Sequence, residues 1–141
     1  MSVYFDASAI LPLLVVEAST PVAQRFVDQL DTPMFVSEFA AIEVASGLSR
    51  LTRMGALDRA TGDRHVADFD IWRTSFTIPA EILPVDLSVA NGFVRRFELG
   101  LRAPDALHAA ICRRADHDLV TLDRRLAAAA SALGVRVELL A

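Results

Sequence analysis

Short, wholly apolar runs alternate along this chain with longer segments whose apolar residues recur at helical spacing. Val3-Tyr4-Phe5, Met34-Phe35-Val36 and Leu119-Val120-Thr121 are runs of the first kind. A strand covered on both faces reads as a continuous apolar run, so these predict buried strands at 2–5, 34–36 and 119–121. Helices are expected between them. Residues 7–15 read as a short helix, with Pro12 tolerated only near its first turn. Ser19 or Thr20 caps a second helix, with Pro21 in its first turn and Val22, Phe26, Val27 and Leu30 on its apolar side. Pro33 breaks the chain. Ser37 then caps a helix over 38–53 that Gly55 ends. Asp58 caps another over 59–73, with Val66, Phe69 and Trp72 at helical spacing; that stripe reads as core or interface rather than a base-stacking platform.

Residues 82–85 read as an edge strand, because Pro84 cannot donate to a central ladder. Asp86 reads simply as the cap of a helix to residue 99, stopped by Gly100. Pro104 at the first helical position opens a helix to residue 115. Asp123 caps a helix to residue 133, ended by Gly134, and residues 135–139 form the last strand. Strands alternating with helices predict a parallel sheet covered on both faces. In such sheets, sites form outside the carboxyl ends of the strands.

That rule sorts the acids. Asp6 follows the first strand and interrupts an otherwise uncharged stretch. Glu43 lies two turns into the helix after the second strand, within FAAIEVASGL. Its face carries Phe39, Ala40, Ser46, Gly47 and Arg50, and the small neighbours leave room beside the carboxylate. Asp105 sits in the first turn of its helix, and Asp123 follows the 119–121 strand. These four can meet at one end of the sheet. Asp116 and Asp118 precede that strand and belong at the other end; Asp63, Asp68 and Asp70 lie on a partly solvated helix. Two like charges about 4 Å apart repel by on the order of 4 kcal/mol at an effective dielectric of about 20. Protons or a cation must offset this, and with only oxygen ligands on offer Mg²⁺ or Mn²⁺ is the natural guest.

Composition narrows the chemistry. The chain has 141 residues, 53% of them hydrophobic, which suits one domain with a sizeable core. Its one cysteine, Cys112, excludes an internal disulfide and a cysteine zinc site, and reads as buried and inert. No basic leader precedes the first apolar run, and residues 7–16 are too few to span a bilayer, so a cytoplasmic protein without a membrane anchor is expected. Net charge is −4, so overall charge does not point to nucleic acid. All 14 basic residues, however, are arginine. Having no lysine excludes P-loop and Schiff-base chemistry and leaves planar guanidiniums for phosphate. Arg50 and Arg102, near site acids in sequence, are the candidates for gripping a phosphate.

Four pieces together carry a family resemblance: FDASAIL with Asp6 and Ser8, SEFAAIEVASGL with Glu43, LRAPDALHAA with Asp105, and LVTLDRRL with Thr121 and Asp123. With these, the chain resembles the PIN domain family, and within it the VapC-type toxin nucleases, over essentially all of residues 1–141. The resemblance implies a three-layer α/β/α sandwich with a short, mostly parallel central sheet, a single nuclease domain, and a Mg²⁺- or Mn²⁺-dependent endoribonuclease. It implies Asp6, Glu43, Asp105 and Asp123 as the acidic cluster, the first three as metal ligands, with Ser8 and Thr121 as hydroxyl supports. It also implies homodimers and a cognate antitoxin, in a type II toxin–antitoxin pair, whose C-terminal segment crosses the active-site groove.

Plainer readings stand beside these. Asp6 and Asp123 are good helix caps, and Glu43 alone would pass for a surface residue. His108, one turn after Asp105, reads as a packed or hydrogen-bonded helix residue rather than a base or ligand. The rival class is a PIN-like protein-binding module with a silent acidic pocket. A phosphoacceptor receiver domain would need a lysine. A haloacid-dehalogenase-like phosphatase would want an acid where Ser8 stands.

Overall fold

Five short parallel strands form one sheet in the order β3-β2-β1-β4-β5 in the computed structural model, which describes residues 1–140. They are β1 (Val3–Phe5), β2 (Met34–Ser37), β3 (Ile78–Ala80), β4 (Asp118–Thr121) and β5 (Val137–Leu139). Seven helices cover the sheet: α1 (Ala7–Leu14), α2 (Thr20–Gln29), α3 (Glu38–Arg53), α4 (Arg59–Phe76), α5 (Pro84–Val94), α6 (Ala103–Ala115) and α7 (Arg124–Ala132). The expected three-layer α/β/α architecture is the one observed.

The period-two alternation of strand side chains divides the core. Val3 and Phe5 pack with Ile10, Ala40, Val44 and Phe69 on one face. Tyr4 between them turns to the other face, against Phe93, Ala106, Ala109, Leu119 and Leu126. Connectivity explains which helices go where. The chain winds outward through β1, β2 and β3, then crosses back to β4 and β5. Right-handed crossovers therefore place α1–α4 on one face and α5–α7 on the other. The winding reverses between β1 and β4, and the crevice that a parallel sheet offers to a ligand opens at that point.

The chain departs from the sequence expectation mainly around residues 74–100. The edge strand is Ile78–Ala80, not 82–85. A proline does sit in it, but it is Pro79, which pairs with Val36 at the sheet edge. Pro84 instead opens α5 at its first position, where a missing N–H costs nothing. Asp86 is therefore the third residue of α5, and its Oδ2 accepts the Leu83 N–H at 2.8 Å. It is more than a cap: it is 1% exposed and takes two hydrogen bonds from Arg114, Nε to Oδ1 at 2.7 Å and Nη2 to Oδ2 at 3.0 Å. Arg114 Nη2 also reaches the Glu81 carbonyl at 2.8 Å, so one guanidinium ties α6 to the start of α5.

The fifth helix ends at Val94, and a separate 3-10 turn (Phe97–Leu99) follows, closed by Gly100 at φ +63. Breaking the helix there lets Leu99 and Leu101 pack back onto the second core. Smaller differences remain. The fourth helix runs to Phe76. Pro12 lies in the second turn of α1, a helix of only 8 residues. Ala103 rather than Pro104 is the first residue of α6. The last strand begins at Val137.

Candidate active site

Asp6 leaves β1 and caps α1. Its Oδ1 accepts the Ala9 N–H at 3.2 Å and the Ser8 hydroxyl at 2.7 Å, and its Oδ2 accepts the Thr121 hydroxyl at 2.7 Å. Thr121 is the last residue of β4, so the carboxylate bridges the two strands at the reversal of winding. Ser8 and Thr121, expected as hydroxyl supports, each donate a hydrogen bond to the Asp6 carboxylate. Their oxygens also accept the Leu122 and Asp123 N–H groups, which fixes the turn out of β4. Asp6 thus caps α1 with the same carboxylate that the two hydroxyls hold. Asp123 likewise caps α7, its Oδ1 accepting the Arg125 and Leu126 N–H groups at 2.9 and 3.1 Å.

Glu43 projects from α3 and meets His108 of α6, Oε1 to Nε2, at 2.5 Å. The bare face of Gly47, which the sequence reading took as room beside Glu43, is occupied otherwise: a Cβ there would lie 3.0 Å from Leu11 Cδ1 of α1. Asp105, in the first turn of α6, keeps its side chain 18% exposed, with Arg102 Nε at 3.9 Å from Oδ2. Arg102 is itself exposed. Arg50 is exposed in the last turn of α3. Asp116 and Asp118 lie at the opposite end, paired with Arg136. Trp72 packs edge-on to Phe5 in the first core, the bland reading of that stripe.

The sequence reading missed the polar roles of Tyr4 and Ser37. Tyr4 is fully buried in β1, and its hydroxyl lies 2.7 Å from both His108 Nδ1 and Ser37 Oγ. The signal available was a tyrosine inside a doubly covered strand, where the hydroxyl needs a partner.

A family model described as the PIN domain matches residues 3–132. The chain belongs to the PIN domain family. Solved structures similar to it have low identity. They include FitAcB from Neisseria gonorrhoeae, 16% identical with TM-score 0.70, covering 99% of this chain and 98% of that one. Another is VapC20 from Mycobacterium tuberculosis, described as a Sarcin-Ricin loop cleaving toxin, 18% identical with TM-score 0.73 over 90% and 94%. A third is VapBC2 from Rickettsia felis bound to a DNA fragment from their promoter, 12% identical with TM-score 0.74 over 98% and 98%. No curated protein matches the chain. Among the described residues, no helix is long and apolar enough to cross a membrane.

The electrostatics of this PIN site bear on whether it suits a divalent cation. Burial pushes the Asp6 carboxyl above the usual range, against the pull of the Thr121 and Ser8 hydrogen bonds. Burial and then the charge of Asp123 push Asp105 up as well. Among the described residues, no three His, Cys, Asp or Glu side chains stand as a ready-made cage. Mg²⁺ does not require one: it keeps several waters and uses one or two carboxylates. All the candidate ligands are oxygens, and burial disfavours the bare charge on Asp6 and Asp105, so the donor set fits a hard cation.

A stability measurement follows from these shifts. A carboxyl whose folded pKa is raised binds more protons folded than unfolded, so its contribution falls as pH rises out of the ordinary carboxylate range. In chelator, Asp6→Asn should therefore gain in Tm relative to wild type as pH increases through that window. Mn²⁺ at about 100 times its Kd should stabilise wild type by about 2.7 kcal/mol and Asp6→Asn far less. Thermal scans of both proteins across pH, with and without Mn²⁺, check both statements.

Proposed function

We propose that this protein is a divalent-cation-dependent endoribonuclease and the toxin of a type II toxin–antitoxin pair. What supports the reading is the PIN topology, which sets Asp6 and Asp123 just past the carboxyl ends of β1 and β4, with Asp6 buried and Asp105 near enough to feel the charge of Asp123. Asp6, Glu43 and Asp105 are assigned to hold Mg²⁺ or Mn²⁺, directly or through water, and Asp123 to help position it. When bound, such an ion supplies Lewis acidity at a phosphoryl oxygen and eases deprotonation of an attacking water. The chain's own part is to orient: Ser8 and Thr121 fix Asp6, and His108 fixes Glu43. Arg102, exposed beside Asp105, is assigned to an RNA phosphate. Arg102→Ala should raise KM several-fold with little change in kcat, as loss of binding shared by ground and transition states does. Steady-state kinetics on a cleavable RNA would show it.

An apolar groove of about 410 Å³ lies beside the N-terminus of α6, lined by Phe39, Leu87, Ala90, Val94, Pro104 and Leu107. It is assigned to an antitoxin segment, and the protein to a cytoplasmic homodimer. The decisive experiment incubates purified protein, freed of any partner, with several structured RNAs in Mg²⁺, Mn²⁺ and chelator. Cleavage that requires the cation is expected. No cleavage of any substrate would leave the silent binding module in its place.

A further inference from the structure

A buried chain of hydrogen bonds runs from the start of α3 to the Glu43 carboxylate. Its members are the Ala40 N–H, Ser37 Oγ at 3.0 Å, Tyr4 Oη at 2.7 Å, His108 Nδ1 at 2.7 Å, and Glu43 Oε1 at 2.5 Å from Nε2. Ser37 and Tyr4 are fully buried and His108 is 2% exposed, so water does not complete their bonding. The direction of the chain follows from what each group can donate. Ala40 N–H donates to Ser37 Oγ. Among the described residues, the only acceptor near the Ser37 hydrogen is Tyr4 Oη. Tyr4 must then give its hydrogen to His108 Nδ1. That leaves the imidazole proton on Nε2, where it is donated to Glu43 Oε1. In the opposite direction, Ser37 would keep a buried hydrogen without an acceptor, and a bare Nε2 would face a carboxylate oxygen. Burial also pushes the Tyr4 hydroxyl well above its ordinary pKa, so it remains a donor.

We propose that His108 is a positioning residue: held as the Nε2–H tautomer by Tyr4 and Ser37, it anchors Oε1 of Glu43 and leaves Oε2 to take the cation. This rests on the cation-binding reading of Glu43. Glu43 Oε2 makes no hydrogen bond among the described residues, and the side chain is 31% exposed, so that oxygen remains accessible. Tuning a ligand through its hydrogen-bond partner is a general device, and loss of such a partner costs about 10–100-fold in metal affinity. Sequence inspection does not find the relay. Its parts lie in β1, at the end of β2, and in α3 and α6, and three of the four side chains read as core or cap.

The test has two arms. In metal-free protein at neutral pH, long-range ¹⁵N imidazole spectra should show His108 as the Nε2–H tautomer, and Tyr4→Phe should mix the tautomers. An Nδ1–H pattern in wild type, or no change in Tyr4→Phe, overturns the inference whatever the fate of the metal. The second arm titrates Mn²⁺ by calorimetry into wild type and into Glu43→Gln, His108→Leu and His108→Gln, with circular dichroism confirming the fold. His108→Leu should weaken binding by about 10–100-fold. His108→Gln, whose amide can replace the Nε2 donor, should stay close to wild type. If Glu43→Gln loses affinity while folded His108→Leu does not, the positioning role alone fails. If wild type binds no Mn²⁺, or Glu43→Gln binds as wild type does, the cation reading of Glu43 fails and the role falls with it. Should His108→Leu not fold, Tyr4→Phe takes its place in the titration, with weaker binding expected and wild-type affinity overturning the role.

Discussion

Asp6→Asn should abolish cation-dependent RNA cleavage and leave the fold intact. The substitution keeps the side-chain volume, and its amide oxygen can still accept from Ser8 and from the Ala9 N–H, so the cap on α1 survives. What it removes is the charge at the junction of β1 and β4. In the proposed site that charge binds the ion and is held in place beforehand by two hydroxyls, so nothing need reorganise as the reaction proceeds. Loss of one preorganised electrostatic group at reacting atoms costs at least about 10²–10³-fold in rate. The measurement compares single-turnover cleavage by wild type and variant in Mn²⁺, with matched circular dichroism spectra. A folded variant with full activity would remove the assignment of Asp6.

The largest expected effect of a substitution on stability lies where α6 closes over the start of α5. Arg114→Ala should destabilise the protein by about 3 kcal/mol, the upper end of the cost of leaving a buried acceptor without its donor, because Asp86 is buried while the Arg114 side chain is 29% exposed. Asp86 would then keep only the Leu83 N–H, and the Glu81 carbonyl would lose its donor. Arg114→Lys should recover only part of the loss, since an ammonium cannot make two parallel bonds to a carboxylate. The pH dependence provides an internal check. Burial pushes Asp86 up, but the Arg114 hydrogen bond, the Leu83 N–H and the Arg114 charge outweigh it and hold the carboxyl below its usual range. A folded pKa below the unfolded one gives stability above the ordinary carboxylate range, lost as pH falls through it. Urea denaturation of wild type and Arg114→Ala should therefore converge at acid pH. A constant difference across pH would refute the ion pair's role.

The fold was legible where local rules and the sheet agreed. Val3-Tyr4-Phe5 and Leu119-Val120-Thr121 are buried on both faces, and Ser37, Asp58 and Asp123 cap the helices the sequence assigned to them. It was least legible at residues 78–86. Two prolines there each permit either an edge strand or a helix start, and only tertiary packing decides between them. Asp86 was underestimated for the same reason: a capping acid looks alike in sequence whether or not an arginine 28 positions later closes over it. Among the candidate site acids, Asp6 and Glu43 stood out as charges in uncharged stretches, whereas Asp105 and Asp123 came from their places at a helix start and after a strand, and from the family resemblance. Tyr4 and Ser37 did not stand out, because a buried hydroxyl shows its purpose only through its neighbours.

The rims of the sheet have a consequence for self-association. The strands β3 and β5 have three residues each, and Pro79 removes an amide donor from one of them. Such margins present almost no template for a further ribbon of chain, the route by which many sheets grow into fibrils. Aggregation of this molecule through its sheet should therefore demand unfolding first, and native copies are expected to join by surfaces other than the sheet edges.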